Sequence, residues 1–128
     1  GMIITGHAVD LYDPETISAT TGSLFSLPVV RQKSHTQVLD WANKTKNEVG
    51  DIQIVGTDEN GTTAIYEHDF KKPTILLAGN EKWGLSMAYK EISNTLVKIP
   101  IQGSASSLNV TSATSIVLYE VTRQRNLK

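Results

Sequence analysis

The sequence predicts an α/β domain with a mainly parallel sheet. Three observations lead to that fold class. Short runs rich in Ile, Val and Leu recur at 2–5, 27–30, 51–55, 74–78 and 96–99. Stretches with helical spacing or helix-start chemistry separate most of them. Several of the runs then break into glycine and small polar residues, the composition of strand-to-helix turns.

Taken in order, Met2 to Thr5 reads as a short buried strand. Asp13-Pro14-Glu15 is a helix start, with an Asp cap, Pro at the first helical position and an acid in the first turn. Gly22 is placed to stop that helix. Leu27 to Val30 is the second strand. His35 to Glu48 carries Val38, Leu39 and Ala42 at helical spacing, and Gly50 ends it. Asp51 to Val55 alternates and is a strand, followed by a turn at Asp58-Glu59-Asn60-Gly61. Thr63 to Tyr66 is a short strand or an irregular edge. Thr74 to Ala78 is a strand, Ser86 to Ser93 a helix, and Leu96 to Ile99 a strand closed by Pro100. Ser107 opens a last long helix through Ala113, Ile116, Val117 and Glu120.

Composition narrows the function classes. A length of 128 residues fits one domain, and 39% hydrophobic with 20% charged residues suits an ordinary core. No apolar run approaches the roughly 20 residues that span a bilayer. Gly1-Met2 leads into Ile3-Ile4 without a signal-peptide pattern. Cysteine is absent, which excludes disulfides and thiolate chemistry. These features point to a cytoplasmic protein. The net charge of −1 does not suggest bulk electrostatic clamping of nucleic acid. Residues 1–64 nevertheless hold four basic and eight acidic side chains, whereas residues 65–128 hold eight and five. The C-terminal half is the better candidate for an anionic partner, although charge alone favours the plainer reading of an uneven solvated surface.

The strongest local pattern is a pair of glycine loops on successive strand ends. One is Ala78-Gly79-Asn80-Glu81 with Gly84; the other is Ile99-Pro100-Ile101-Gln102-Gly103, leading through Ser104-Ala105-Ser106 to Ser107-Leu108-Asn109-Val110. Ligands of open α/β sheets bind at the carboxyl ends of strands, and glycine lets backbone approach them closely. An ordinary strand-to-helix turn is the alternative for each loop. Neither loop cradles phosphate in the usual way, for the chain has no G-x-x-x-x-G-K-[ST] and no G-x-G-x-x-G. The polar residues around Ser107 favour a helix cap, while Leu108 and Val110 point to burial. His7, His35 and His68 lack ligand spacing, so no metal is predicted. No G-x-S-x-G elbow supports a hydrolase. Trp41 is expected in a core or interface. Core packing is also expected for Trp83, with cover over a pocket or a contact between copies as the alternative.

The stretches GNEKWGLS at 79–86 and IPIQGSASSLNVTSATSIVLYE at 99–120 resemble the second and third motifs of the SpoU/TrmH-type RNA ribose methyltransferases, a branch of the SPOUT superfamily. VDLYDPETISATTGSLFSLPVVR at 9–31 is similar to the segment ahead of that family's core helix. The resemblance implies an α/β domain whose C-terminus is threaded into a trefoil knot, an exception to the usual rules of connection. It implies a homodimer that binds S-adenosylmethionine (SAM) in the knotted loops. The implied reaction is methyl transfer to a ribose 2′-hydroxyl of tRNA or rRNA.

By the same resemblance, Ala78, Gly79, Asn80 and Glu81 border the cofactor, Ile99, Pro100 and Ile101 wrap the adenosine, and Ser107, Leu108, Asn109 and Val110 form the knot's final turn. Gly56 and Thr57 also approach the adenosine. Glu81 and Asn109 are the implied catalytic residues, orienting the reaction centre or bracing the knot. The family's first motif, N-x-G-x-x-x-R, supplies the Arg assigned to activating the hydroxyl, and residues 1–128 do not contain it. The expectation is therefore the C-terminal, SAM-binding part of a larger, N-terminally truncated domain. Two other readings stay open: a non-catalytic SPOUT-like module that binds SAM or RNA, and an unrelated α/β domain with coincidental loops.

Overall fold

A computed structural model describes residues 1–105 and 107–126 of the chain, so Ser106 of the second glycine loop lies outside the described residues. The chain forms two compact units, residues 1–41 and 42–128.

In the first unit, β1 (Met2–Thr5) runs parallel to β2 (Val29–Gln32), with Met2 opposite Val29 and Thr5 opposite Gln32. β2 starts later than the sequence suggests because Pro28 has no N–H for a ladder; its carbonyl instead accepts from Met2 N at 2.9 Å. The expected burial of β1 is not met. With one neighbouring strand it is half-buried at best, and Met2 is exposed. α1 (Pro14–Ala19) begins as predicted, since the Asp13 carboxylate accepts from Glu15 N at 2.9 Å. It ends before Gly22, which opens a short 3₁₀ turn over Ser23–Ser26. Arg31 Nη2 donates to the carbonyls of Ala8 (3.3 Å) and Val9 (2.5 Å), tying the loop after β1 to β2. α2 (His35–Val49) carries the chain into the second unit and stops at Gly50, whose φ is 81°.

The second unit is a four-stranded parallel sheet in the order β4-β6-β3-β5. Its strands are β3 (Gln53–Thr57), β4 (Thr63–Ala64), β5 (Thr74–Leu77) and β6 (Thr95–Lys98). Central strands read as continuous apolar runs because both faces are covered. Val55 of β3 and Val97 of β6 accordingly join Ile65, Phe70 and Val117 in the core. α3 (Met87–Ile92) precedes β6, and α4 (Val110–Asn126) closes the chain.

α4 starts three residues after the expected Ser107. Asn109 is its cap: the side-chain oxygen accepts from Thr111 N at 2.8 Å and its carbonyl from Ala113 N at 2.9 Å. The far end is sewn to residues 68–72. Gln124 accepts from Phe70 N (2.8 Å) and donates to the His68 carbonyl (2.9 Å), while Arg125 donates to the carbonyls of Phe70 and Lys72, each at 2.9 Å. Glu120, buried beneath, accepts from Arg123 twice at 2.7 Å and from Gln124 at 2.8 Å. The Arg123 guanidinium, helped by Gln124, pulls the Glu120 carboxyl down to about 2. No helix among the described residues is long and apolar enough to cross a membrane.

Candidate functional site

Because β3, β5 and β6 are parallel neighbours, their carboxyl ends open on one edge of the sheet. The loops that leave them border a half-open cavity of about 670 Å³. That falls within the roughly 300–1,000 Å³ usual for small-molecule sites. Its wall comes from Thr57 to Asn60 after β3, from Gly79 to Leu85 after β5, and from Lys98 to Ile101 with Ala105, Ser107 and Leu108 after β6. Lys90 of α3 and the first turns of α4, at Val110, Ala113 and Val117, complete it.

The loop after β5 is closed on itself. Asn80 N donates to the Gly84 carbonyl at 2.9 Å and Gly84 N to the Asn80 carbonyl at 2.8 Å. Lys82 N also donates to the Asn80 side-chain oxygen at 2.8 Å. This closure dictates both glycines. A Cβ on Gly79 would lie 2.2 Å from the Gly84 carbonyl carbon and 2.4 Å from Leu85 N, both backbone atoms that cannot swing aside. Gly84 sits at φ 66°, in the left-handed region. Glu81, Lys82 and Trp83 are pushed outward at the tip. Trp83 is 78% exposed, against the expectation of core packing, and the Lys82 ammonium lies 5.1 Å from its ring centroid. Trp41 is likewise about half exposed.

The loop after β3 is held by its own polar side chains. Thr57 Oγ1 donates to the Leu77 carbonyl at 3.1 Å, joining the ends of β3 and β5. Asp58 N donates to the Val97 carbonyl at 3.0 Å, and Asp58 Oδ1 accepts from Asn60 N at 2.8 Å. The other Asp58 oxygen pairs with Lys90 Nζ. That ammonium, with the Asn60 N–H, holds the Asp58 carboxyl below the usual carboxylate range, while burial works the other way.

Thr57, Gly79, Asn80, Glu81, Ile99, Pro100, Ile101, Ser107 and Leu108 all line this one cavity. Leu108, expected to be buried, is 38% exposed on its wall. Gly56, Ala78 and Asn109 flank the cavity without lining it. Gly56 answers to packing. A Cβ there would come within 2.8 Å of Leu96, Leu85 and Ser93 side-chain atoms, so the glycine makes room for Leu96 of β6 and for the residues flanking α3. Asn109 caps α4, as described. Sequence reasoning does not reach Asp58, Glu59, Asn60, Lys82 or Lys90 as wall residues. The first three follow a strand end, a signal that could have placed them there. Nothing local marks Lys90.

A parallel α/β sheet whose strand-end loops border a ligand-sized cavity, without a phosphate-binding glycine motif, defines a small-molecule site of the non-Rossmann kind. The sequence pattern of the SpoU rRNA Methylase family matches residues 1–119, and the chain belongs to that family. It is 48% identical over 125 residues to a 23S rRNA (uridine(2479)-2′-O)-methyltransferase of Streptomyces viridochromogenes, across 98% of this chain and 44% of that protein. The crystal structure of the SpoU methyltransferase AviRb from the same organism, in complex with AdoMet, superposes with a TM-score of 0.91 over 96% of this chain and 49% of that one. An AdoMet-bound rRNA methyltransferase from Sinorhizobium meliloti is 34% identical, with a TM-score of 0.85 over 100% of this chain and 47% of that one. The chain thus spans about half the length of the relatives it matches.

Proposed function

We propose that this chain is the C-terminal, SAM-binding part of an enzyme that methylates a ribose 2′-hydroxyl of rRNA or tRNA. The observation that carries the reading is the convergence of the two motif loops and the end of β3 on one cavity. That cavity fits the cofactor's chemistry. Adenine and ribose offer ring edges and hydroxyls, which suit the backbone groups and apolar side chains of Ile99, Pro100, Ile101 and Leu108. Glu59 and Glu81 provide carboxylates for a cationic group. The closed loop at Gly79 brings peptide groups to the wall with no side chain between.

When bound, SAM supplies an activated methyl group on a sulfonium. The chain's own contribution is then position. Glu81 stands on a pinned loop tip, and Asn109 fixes the first turn of α4 where Val110 and Ala113 meet the cavity. Both orient the reaction centre in this reading. Methyl transfer from a weakly acidic hydroxyl also needs a positioned base or strong electrostatic help. The chain's arginines do not supply it: Arg31 holds the Ala8 and Val9 carbonyls, Arg123 holds Glu120, and Arg125 holds the Phe70 and Lys72 carbonyls. We assign that step to the N-x-G-x-x-x-R segment of a longer parent. These engaged arginines favour a second reading, a module that binds SAM without transferring its methyl.

The proposed partners are RNA in the cytoplasm and a second copy of the chain, with a trefoil knot threading α4. Exposed Ile116, Leu118 and Tyr119 on α4 support the contact between copies. Calorimetric titration with SAM and its demethylated product tests the cofactor reading. Saturable binding is expected, weakened in Asn109→Ala. A folded chain that binds neither, even with the upstream half restored, would overturn it. Methyl transfer to RNA by that longer protein separates the enzyme from the silent module. A crystal structure with SAM tests the rest, and a monomer with α4 unthreaded would sink the dimer and the knot.

A further inference from the structure

We propose that Asp58 and Lys90 form a latch that fixes the spacing of two cavity walls, making both positioning residues for the cofactor. The proposal rests on the SAM reading above. Asp58 heads the loop after β3, and Lys90 stands on α3, which continues the loop after β5. The β3–β5 ladder ends at Gly56 opposite Leu77. Past that point the two walls separate around the cavity. The Thr57 hydroxyl joins the ends of β3 and β5, and the Asp58–Lys90 pair joins the loop after β3 to α3.

Three features suit a latch better than a surface ion pair. The Asp58 side chain is 9% exposed and each of its oxygens is engaged, one by Lys90 and one by Asn60 N. One carboxylate thus shapes its own loop and grips the opposite wall. α3 has only six residues, and its cap Ser86 makes no side-chain hydrogen bond to the helix, so its orientation depends on outside contacts. Finally, a partly buried ion pair adds little net stability over an apolar substitute, so its larger effect is expected in geometry.

The test is a double-mutant cycle read as SAM affinity, with Lys90→Gln, Asp58→Asn, the double variant, Lys90→Arg, and Glu91→Gln as a control on the same helix. Lys90→Gln and Asp58→Asn are each expected to weaken binding roughly three- to tenfold, with the double variant no worse than the weaker single. Lys90→Arg should recover most of the affinity, and Glu91→Gln should match the parent. Singles at wild-type affinity, or penalties that multiply in the double, would overturn the latch. Amide exchange in the ligand-free protein separates this from failure of the cofactor reading. If the unmodified chain binds no SAM even with the upstream half restored, that reading fails, and the latch stands only if Lys90→Gln speeds exchange in both 58–62 and 87–92. Unchanged exchange there sinks it.

Discussion

Gly79→Ala is the sharpest perturbation of the site, because its effect follows from two distances. The new Cβ would sit 2.2 Å from the Gly84 carbonyl carbon and 2.4 Å from Leu85 N. Ordinary carbon contacts need about 3.5 Å, so the facing backbone must retreat by about 1 Å. That retreat breaks the reciprocal Asn80–Gly84 bonds of 2.9 and 2.8 Å. Each is worth about 0.5–1.5 kcal/mol when its groups are buried. The loop is exposed, so water replaces much of that, and a global loss of about 1–2 kcal/mol is expected. The effect on the cavity is larger than the effect on the fold. Peptide groups that face the ligand move by about 1 Å, and SAM affinity should fall tenfold or more.

Gly84→Ala is the control. Its Cβ meets nothing within 4 Å, and the cost is only the left-handed φ of 66°, about 1–2 kcal/mol. The loop stays closed and binding falls far less. Thermal melts and SAM titrations of both variants make the comparison. Gly79→Ala with wild-type affinity would refute the claim that loop closure builds this wall. So would equal losses of affinity in the two variants.

Two predictions concern the frame that carries the site. Glu120 has its folded-state pKa lowered from 4.5 to about 2, so its contribution to stability is present above pH 4.5 and is lost as pH falls toward 2. The full shift corresponds to about 3 kcal/mol, but Arg123 is 43% exposed and water screens the pair, leaving about 1–2 kcal/mol. Denaturant melts between pH 6 and pH 2.5 should show that loss, and Glu120→Gln should flatten it; an equally steep fall in the variant assigns the effect elsewhere. Phe70→Ala empties a fully buried core position and should cost about 3–5 kcal/mol. A loss under about 1 kcal/mol in chemical denaturation would mean that the core is not centred there.

The strands and helices were legible where a period of two or of 3.6 met a clear stop, as at Asp13-Pro14 and at Gly50. Boundaries moved where a single atom decided them. Pro28 lacks the N–H that would begin β2 earlier, and Asn109 takes the cap that the sequence offers at Ser107. Trp83 departs from its expected place because the default for an aromatic is the core. The closure of residues 80–84 into a tight loop turns it outward, and no periodicity encodes that.

The cavity was legible for a partly different reason than its glycines suggested. Close approach to a ligand was the expected use of Gly56 and Gly79. In the folded chain the first makes room for Leu96, Leu85 and Ser93, and the second for the backbone of its own loop. Both conditions must hold before any ligand arrives, so the wall is preformed by packing, and that packing is what the glycine motif marks. What stays hidden from sequence is the pairing that sets the wall's spacing. Asp58 and Lys90 lie far apart in the chain, and their contact exists only once β3, β5 and α3 have been placed side by side. A motif therefore finds such a site, and only the tertiary structure finds the bond that fixes its width.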